Sequence, residues 1–270
     1  MRAPQQQTFT VASQRQLAPQ VFELRLAGDC SAITAPGQFV NIAVPGFYLR
    51  RPISVCDVRR GGEGEADELV LIYKVVGEGT RALAQYAQAA RPGDTLELLT
   101  GLGNGFLLPR GDAVAVLPLL LVGGGVGVPP LYWLAREARA AGHGVTVVLG
   151  FNTASEVFYE QEFAQLGCEV RVSTADGSAG VRGFAPAAMP APGEYRYLYS
   201  CGPIPMLHAV AEASGQTPGE LSFEERMGCG FGACMGCSHH VRLPDGSAGY
   251  KRICTEGPVL SKEEVLWEAN

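Results

Sequence analysis

The 270-residue sequence lacks any block of basic residues and any long apolar run. It carries 21 Lys and Arg against 27 Asp and Glu, a formal net charge of -6, which gives no electrostatic footprint for nucleic acid or anionic lipid. Its most apolar stretch, VAVLPLLLV at residues 114–122, is interrupted by Pro118 and falls far short of the ~20 residues of a membrane-spanning helix. These absences exclude nucleic-acid and membrane partners and favour a buried strand for that stretch.

A secretory signal is also missing. The first residues, MRAPQQQTFT, contain neither an apolar core nor a small-residue cleavage site, so we expect a cytoplasmic protein. In a reducing compartment the eight cysteines indicate metal or redox use rather than disulfide bonds. With 47% apolar and 18% charged residues the composition is that of a globular protein, and the length suits two domains plus a small module.

The first part of the chain has the pattern of an antiparallel β-barrel. From residue 8 to about 108, short extended runs are separated by Gly, Pro and Asp turns. Phe22, Leu24 and Leu26 alternate with charged residues, as expected for a strand with one buried face. A helix is predicted over residues 80–90, with Thr80 as its N-cap.

From residue 113 the pattern changes to alternating strands and helices, which predicts a parallel sheet. The predicted strands cover residues 113–122, 145–150, 168–174 and 196–201, and the helices cover 130–141, 155–166 and 204–213. Residues 211–220 are polar and turn-rich and are interpreted as a linker. The predicted domains are therefore a barrel at 1–108, an α/β nucleotide-binding domain at 109–218 and a C-terminal module at 219–270.

Four cysteines in the C-terminal module have the spacing of a plant-type [2Fe-2S] ferredoxin. Cys229, Cys234 and Cys237 follow the pattern C-x4-C-x2-C, and sixteen residues separate Cys237 from Cys254. Glycines between them would let the backbone wrap a cluster and direct N–H groups at the sulfur atoms. A structural zinc site is the main alternative, but such sites usually pair two C-x2-C knuckles. His239 and His240 are interpreted as polar residues of a hairpin rather than as ligands.

Two segments of the barrel together suggest a flavin pyrophosphate site. Arg51, Pro52, Ile53 and Ser54 are predicted to end a barrel strand, while Gly79 and Thr80 begin a helix. An arginine side chain and the N–H groups of a helix N-terminus both bind phosphate oxygens. Ser54 would then face the flavin ring.

Two further loops suggest a nucleotide site in the α/β domain. The first loop contains Gly123, Gly124, Gly125 and Gly127, and the second contains Cys201, Gly202 and Pro203. Both follow predicted parallel strands, whose carboxyl ends meet at one edge of the sheet. Residues 151–165 contain no arginine for the extra phosphate of NADP, so NAD is expected.

The segments RRPIS, LIYKVVGEGT, APGQF and GLGNGF resemble the flavin domain of the ferredoxin reductase superfamily. That resemblance implies that residues 51–54 contact the phosphate and isoalloxazine of FAD and that Gly79 and Thr80 meet the pyrophosphate. It also implies that Ile72, Tyr73 and Lys74 run along the FAD, and that Cys201 lies near the nicotinamide. The chain reads TGLG at residues 100–103, where relatives often read GPLG.

The tail resembles a narrower family. SFEERMGCGFGACMGCSHHVRL and GYKRICTEGPVL are similar to the C-terminal module of the electron-transfer subunit of type B, NAD-linked dihydroorotate dehydrogenase. The resemblance implies a separate FMN-containing catalytic subunit that oxidises dihydroorotate in pyrimidine biosynthesis, assembled with this chain as a two-plus-two heterotetramer. A hydride carries two electrons and an iron-sulfur cluster accepts one, so FAD is expected between NAD and the cluster. No catalytic side chain is expected.

Two kinds of alternative stay open. The same motifs occur in flavin and iron-sulfur subunits of NADH-dependent ferredoxin:NADP oxidoreductases, soluble hydrogenases and sulfite reductases. In a different functional class, the chain would be a zinc-binding scaffold or redox sensor without flavin, which leaves RRPIS and GEGT unexplained.

Overall fold

Six antiparallel strands close into a barrel in the first part of the chain. The computed structural model describes residues 3–109 and 116–267, and the barrel strands follow the spatial order β1-β2-β5-β4-β3-β6. The strands are β1 (Gln5–Ala18), β2 (Val21–Gly28), β3 (Phe39–Ala43), β4 (Arg51–Arg59), β5 (Asp67–Lys74) and β6 (Thr95–Leu102). Leu24 and Leu26 of β2 are fully buried as predicted, but the predicted alternation is incomplete, because Glu23 is also buried and Phe22 is only half-buried.

A helix, α1 (Glu78–Ala89), follows β5 and packs on the barrel through Leu83 and Ala87. The prediction of Thr80 as its N-cap is wrong, since Gly77 holds that position. The Thr80 Oγ1 atom instead accepts the N–H groups of Val76 and Gly77 at 3.0 and 3.3 Å. Thr80 therefore stabilises the start of α1 from inside its first turn.

The second part of the chain forms a seven-stranded sheet in the order β10-β9-β8-β7-β11-β12-β15, in which only β15 runs antiparallel to its neighbour. The strands that follow the barrel are β7 (Leu119–Gly124), β8 (Val145–Phe151), β9 (Glu169–Thr174), β10 (Val181–Arg182), β11 (Tyr197–Cys201), β12 (Gly219–Ser222), β13 (Ser238–Arg242), β14 (Ala248–Arg252) and β15 (Val259–Ser261). The helices are α2 (Pro129–Ala140), α3 (Glu160–Gln165) and α4 (Ile204–Ala213). Strand β7 begins later than predicted, and residues 113–115 of that prediction lie outside the described residues. Of the described residues, no helix is long and apolar enough to cross a bilayer.

The continuous helix predicted over residues 155–166 is wrong. A short 3-10 turn, Ala154–Glu156, is followed by Tyr159 in the left-handed conformation, and α3 begins only at Glu160. The Tyr159 hydroxyl donates a hydrogen bond to the buried carboxylate of Glu23 in the barrel, at 2.9 Å. This contact with another domain overrides the local helical pattern.

The linker predicted over residues 211–220 is also wrong. Strand β12 pairs in parallel with β11, and β15 from the end of the chain pairs with β12. The Lys262 Nζ atom donates to the Ser214 Oγ and Thr217 carbonyl oxygens and so ties the tail to the end of α4. The tail therefore completes the α/β sheet, and the domain boundary at residue 219 stays a prediction.

Two buried carboxylates of the barrel bind the α/β domain. Besides Glu23, Asp57 in β4 accepts the Arg136 guanidinium of α2 at 2.9 Å, and its side chain is 3% exposed. Buried charges are stable only when they are paired, so these contacts define how the two domains meet. The carboxyl edge of the parallel sheet is thereby held against the end of β5.

Candidate cofactor and nucleotide sites

A cavity of ≈ 470 Å³ lies at the carboxyl edge of the parallel sheet. Gly124 and Gly125 line it from the end of β7, Phe151 from the end of β8, and Pro203 from the start of α4. Ligands of open parallel sheets bind at this edge, where helix N-termini and freed backbone groups converge. The two loops predicted to bind nucleotide therefore border one cavity.

A backbone contact joins these two loops. A Cβ atom added at Gly127 would lie 2.2 Å from the Cys201 carbonyl oxygen and 2.6 Å from the Gly202 nitrogen, so only glycine permits this approach. Gly123 also packs closely on Val128, where an added Cβ atom would lie 2.9 Å from the Val128 Cα atom. Gly123, Gly127 and Cys201 thus form a closely packed floor next to the cavity-lining residues Gly124, Gly125 and Pro203. The nucleotide-binding role of all of them stays a prediction.

Cys201 lies within this floor. Its side chain is fully buried, and burial raises the pKa of its thiol well above the ordinary range. Among the described residues that line the cavity, Cys201 is absent. Its predicted contact with nicotinamide stays a prediction.

Among the described residues, three charged ones line the cavity, Lys74, Glu156 and Glu224. Lys74 is predicted to run along FAD, whereas Glu156 and Glu224 are not among the predicted site residues. The Glu156 Oε2 atom accepts the backbone and side-chain N–H groups of Asn152, at 3.3 and 3.0 Å. Lys74 reaches the cavity from the barrel. Glu224 follows β12, which begins at the end of the segment interpreted as a linker. Prediction of that strand would have placed Glu224 at the carboxyl edge of the sheet.

The two predicted flavin segments meet at one end of the barrel. A Cβ atom added at Gly79 would lie 1.9 Å from the Nε atom of Arg51, so the guanidinium rests directly on the first turn of α1. The Arg51 Nη1 atom donates to the Leu49 carbonyl oxygen at 2.6 Å, and the guanidinium lies over the Phe47 ring. A fixed arginine beside a helix N-terminus fits a pyrophosphate.

The remaining predicted flavin residues lie on β4 and β5, and the prediction that residues 51–54 end a strand is wrong, since β4 begins at Arg51. Pro52, Ile53 and Ser54 are half-buried, and Ser54 pairs with Phe39 of the neighbouring strand. The Tyr73 hydroxyl donates to Gln14 inside the barrel at 2.6 Å, whereas Ile72 packs in the core shared with the α/β domain. Lys74 alone of the β5 residues lines the cavity, and it also borders a groove of ≈ 900 Å³ between α1 and the β1–β2 turn.

The four predicted cluster cysteines form two pairs. The Cys229 and Cys234 Sγ atoms are 3.4 Å apart, and the Cys254 thiol contacts the Cys237 thiol. In a [2Fe-2S] cluster each iron takes two of the four thiolates, which this pairing fits. Among the described residues, no group of three or more His, Cys, Asp or Glu side chains could hold a metal ion as a single tight set. The ligand assignment stays a prediction.

Backbone N–H groups point at these sulfur atoms. Burial opposes ionisation of Cys229, but N–H groups of Cys234 and Phe231 donate to its Sγ atom and lower its pKa to about 6. Burial raises the pKa of Cys254 to about 12, although the Gly232 N–H group donates to it. The Thr255 Oγ1 atom is buried beside Cys254 without a hydrogen-bond partner in the described part of the chain, and a cluster sulfur would supply one. These donors suit a negatively charged iron-sulfur group.

The cysteine loop rests on the barrel. Gly230 has φ 78°, and a Cβ atom there would lie 2.4 Å from the Asn41 Nδ2 atom, which donates to the Cys229 carbonyl oxygen at 3.3 Å. Asn41 of β3 pairs with Pro52 of β4. The cysteine loop is thus one strand away from the predicted flavin motif.

The two histidines make other contacts. His239 packs on Phe223, with its Nδ1 atom 3.3 Å from Glu225, and His240 stacks on Tyr250 across the β13–β14 hairpin. The interpretation of both histidines as non-ligands stays a prediction.

Known proteins resemble both the C-terminal module and nearly the whole chain. Residues 224–266 match the family model described as the iron-sulfur cluster binding domain of dihydroorotate dehydrogenase B. A protein of Bacillus caldolyticus is 45% identical over 263 residues, covering 96% of this chain and 97% of its own length. One of Bacillus mycoides (strain KBAB4) is 40% identical over 267 residues, covering 97% and 99%. Both are named dihydroorotate dehydrogenase B (NAD(+)), electron transfer subunit.

Solved structures share the fold. The NADH-dependent reduced ferredoxin-NADP oxidoreductase, studied for flavin-based electron bifurcation, superposes with a TM-score of 0.79 at 28% identity, covering 96% of this chain and 90% of its own. The Amycolatopsis cytochrome P450 reductase GcoB superposes with a TM-score of 0.67 at 24% identity, covering 80% and 67%, and shows likeness of fold alone.

Proposed function

This chain belongs to the family of electron-transfer subunits of NAD-linked dihydroorotate dehydrogenase B, and we propose that it carries electrons from a dihydroorotate-oxidising partner to NAD. Its cofactors are FAD and a [2Fe-2S] cluster, with NAD as the substrate. The net reaction of the proposed complex converts dihydroorotate and NAD⁺ into orotate, NADH and a proton. NAD is preferred to NADP because no arginine occurs in residues 151–165.

The observation that carries this proposal is the contact between the cysteine loop and the barrel. Asn41 binds the Cys229 carbonyl group and pairs with Pro52 of the flavin motif. On the other side, Lys74 extends from β5 into the cavity at the glycine loops. This order of nucleotide cavity, flavin strands and cysteine loop supports a linear path for electrons.

Each part of the chain has a defined task in the proposed path. Arg51 and the N-terminus of α1 would bind the FAD pyrophosphate, and Gly124, Gly125 and Pro203 would bind the nucleotide. Bound FAD supplies the chemistry that connects two-electron hydride exchange with one-electron transfer. The N–H groups aimed at Cys229 would stabilise negative charge on the cluster sulfurs.

The proposed partner is an FMN-containing catalytic subunit in a two-plus-two heterotetramer. Phe231 and Met235 are 48% and 65% exposed, and they flank the half-exposed Cys229 and Cys234. Exposed apolar side chains beside thiols that would hold the cluster support a protein contact at this loop. We also propose a cytoplasmic location, supported by eight cysteines that are all free.

Coexpression with a dihydroorotate-oxidising FMN subunit tests the proposal. The anaerobically purified complex is expected to show flavin and iron-sulfur absorption, the EPR signal of a reduced [2Fe-2S] cluster, and NAD⁺-dependent formation of orotate. A colourless, zinc-loaded protein would contradict electron transfer altogether. A complex that couples only to ferredoxin or hydrogenase partners would contradict the dihydroorotate assignment.

A further inference from the structure

Glu224 occupies a defined position at the nucleotide cavity. The N–H group of Phe223 donates to the Pro258 carbonyl oxygen at 2.9 Å, which fixes the backbone just beyond β12. The next side chain, Glu224, lines the cavity together with Pro203 and Met206. Residue 224 is also five positions before Cys229, in the segment that leads from the sheet to the cysteine loop.

The Glu224 carboxylate has no counter-charge of its own. Within residues 3–109 and 116–267, the charged residues that line the cavity are Lys74, Glu156 and Glu224. Glu156 is engaged by Asn152, whereas Glu224 forms no ion pair or hydrogen bond within the part of the chain that the structure describes. Glu224 is solvent-exposed where it lines the cavity, and partial desolvation of its carboxyl group by the neighbouring protein raises its pKa. A cation that enters the cavity would pair with the Glu224 carboxylate.

The strand order separates the two acidic residues. Along the carboxyl edge of the sheet the strands lie in the spatial order β8, β7, β11 and β12. Glu156 comes just after β8 in the chain, and Glu224 comes just after β12. The glycines of the phosphate loop follow β7, between these ends. A dinucleotide whose pyrophosphate lies on that loop would place one ring towards each carboxylate. The Glu224 end is the one that continues to the cysteine loop on the barrel, and the ring that exchanges hydride belongs there.

We propose that Glu224 makes the cavity selective for the oxidised dinucleotide by stabilising the positive charge of the nicotinamide ring. The inference rests on the proposed function. NAD⁺ and NADH differ at this ring, which carries a positive charge in NAD⁺ and is neutral after gaining a hydride. A carboxylate at this end therefore attracts NAD⁺ and loses that attraction once the hydride has been added. The pocket therefore binds NAD⁺ more tightly than NADH, and NADH dissociates more readily once the hydride has been transferred.

Binding measurements with three ligands isolate the charge effect. Dissociation constants are measured by titration calorimetry on the anaerobic, flavin- and cluster-containing protein, for the wild type and for Glu224→Gln. The ligands are NAD⁺, 1,4,5,6-tetrahydro-NAD, whose ring is neutral and donates no hydride, and ADP-ribose, which lacks the ring. We expect Glu224→Gln to weaken NAD⁺ binding about tenfold, the effect of one charge pair in a partly solvated site. Binding of the other two ligands should change by less than about twofold on the same reasoning.

Two further variants control the experiment. Glu224→Lys should weaken NAD⁺ binding more than Glu224→Gln does, because it replaces attraction by repulsion. Glu156→Gln removes a charge from the opposite end of the cavity and should affect the three ligands equally. Flavin absorbance and thermal unfolding establish that each variant is folded. Equal changes for NAD⁺ and tetrahydro-NAD in Glu224→Gln, or no change for either, would overturn the selectivity. A wild-type protein that binds none of the three ligands would overturn the proposed function as well.

Discussion

Replacement of Gly79 by alanine separates flavin binding from folding. The added Cβ atom would lie 1.9 Å from Nε and 2.1 Å from Nη2 of Arg51, so the guanidinium must leave the first turn of α1. The displaced atoms are the end of a flexible side chain, and the helix gains an alanine in place of a glycine. We therefore expect the protein to keep its stability or gain up to about 1 kcal/mol.

The expected loss is in FAD affinity. A hydrogen bond to a charged group contributes about 1.5–3 kcal/mol, and Arg51 on a pyrophosphate would supply at least one. Loss of that contact corresponds to a decrease in affinity of about 10- to 100-fold. Arg51→Ala should give the same decrease, and the double variant should be no weaker than Arg51→Ala alone because both changes remove one interaction.

FAD titration of the deflavinated protein, followed by quenching of flavin fluorescence, measures these affinities. Gly77→Ala is the matched control, because an added Cβ there meets no atom within 4 Å and the backbone is extended at φ -165°. It should bind FAD as the wild type does. If Gly79→Ala binds FAD normally while Arg51→Ala does not, the contact between Arg51 and Gly79 has no bearing on the flavin.

Three other predictions address the nucleotide loops, the domain interface and the cluster. Gly127→Ala would place a Cβ atom 2.2 Å from the Cys201 carbonyl oxygen. We therefore expect at least about tenfold weaker NAD⁺ binding by calorimetry and a loss of about 1–3 kcal/mol in stability by thermal unfolding. The control is Gly144→Ala, whose Cβ atom would be 3.4 Å from the nearest atom and which should change neither quantity. Burial opposes ionisation of Glu23, but hydrogen bonds from two arginines and a tyrosine lower its pKa from 4.5 to about 2. The ionised Glu23 carboxylate therefore stabilises the folded state above pH 4.5, and this contribution is lost as the pH falls towards 2. Glu23→Gln should lower the free energy of unfolding in urea by up to about 3 kcal/mol at pH 7 and by less at pH 3. A difference that stays constant with pH would contradict this account. Cys234→Ser should abolish the EPR signal of the cluster and leave NADH-dependent reduction of artificial dyes through FAD; concurrent loss of flavin would show that the two sites are not independent.

Much of the fold and of the site follows from local sequence patterns. Strands such as β2 are visible because a period of two distinguishes a buried from an exposed face, and the glycine loop after β7 is visible because close backbone approach excludes side chains. The spacing of Cys229, Cys234 and Cys237 indicates an iron-sulfur cluster because a short loop must deliver several thiolates to one group. These signals lie within a few residues of one another along the chain.

The remaining features depend on contacts between distant segments, which no local pattern contains. Tyr159 breaks a helix because its hydroxyl group binds Glu23 in another domain. The end of the predicted linker belongs to β12 because β11 and β15 offer edges to pair with. Sequence alone determined which residues could bind flavin, nucleotide and iron. Tertiary structure decided that Arg51 rests on the start of α1, that the cysteine loop lies on β3, and that Glu224 lines the nucleotide cavity. The physical reason is that charge pairing, burial and backbone clashes act through space, between residues far apart in the chain.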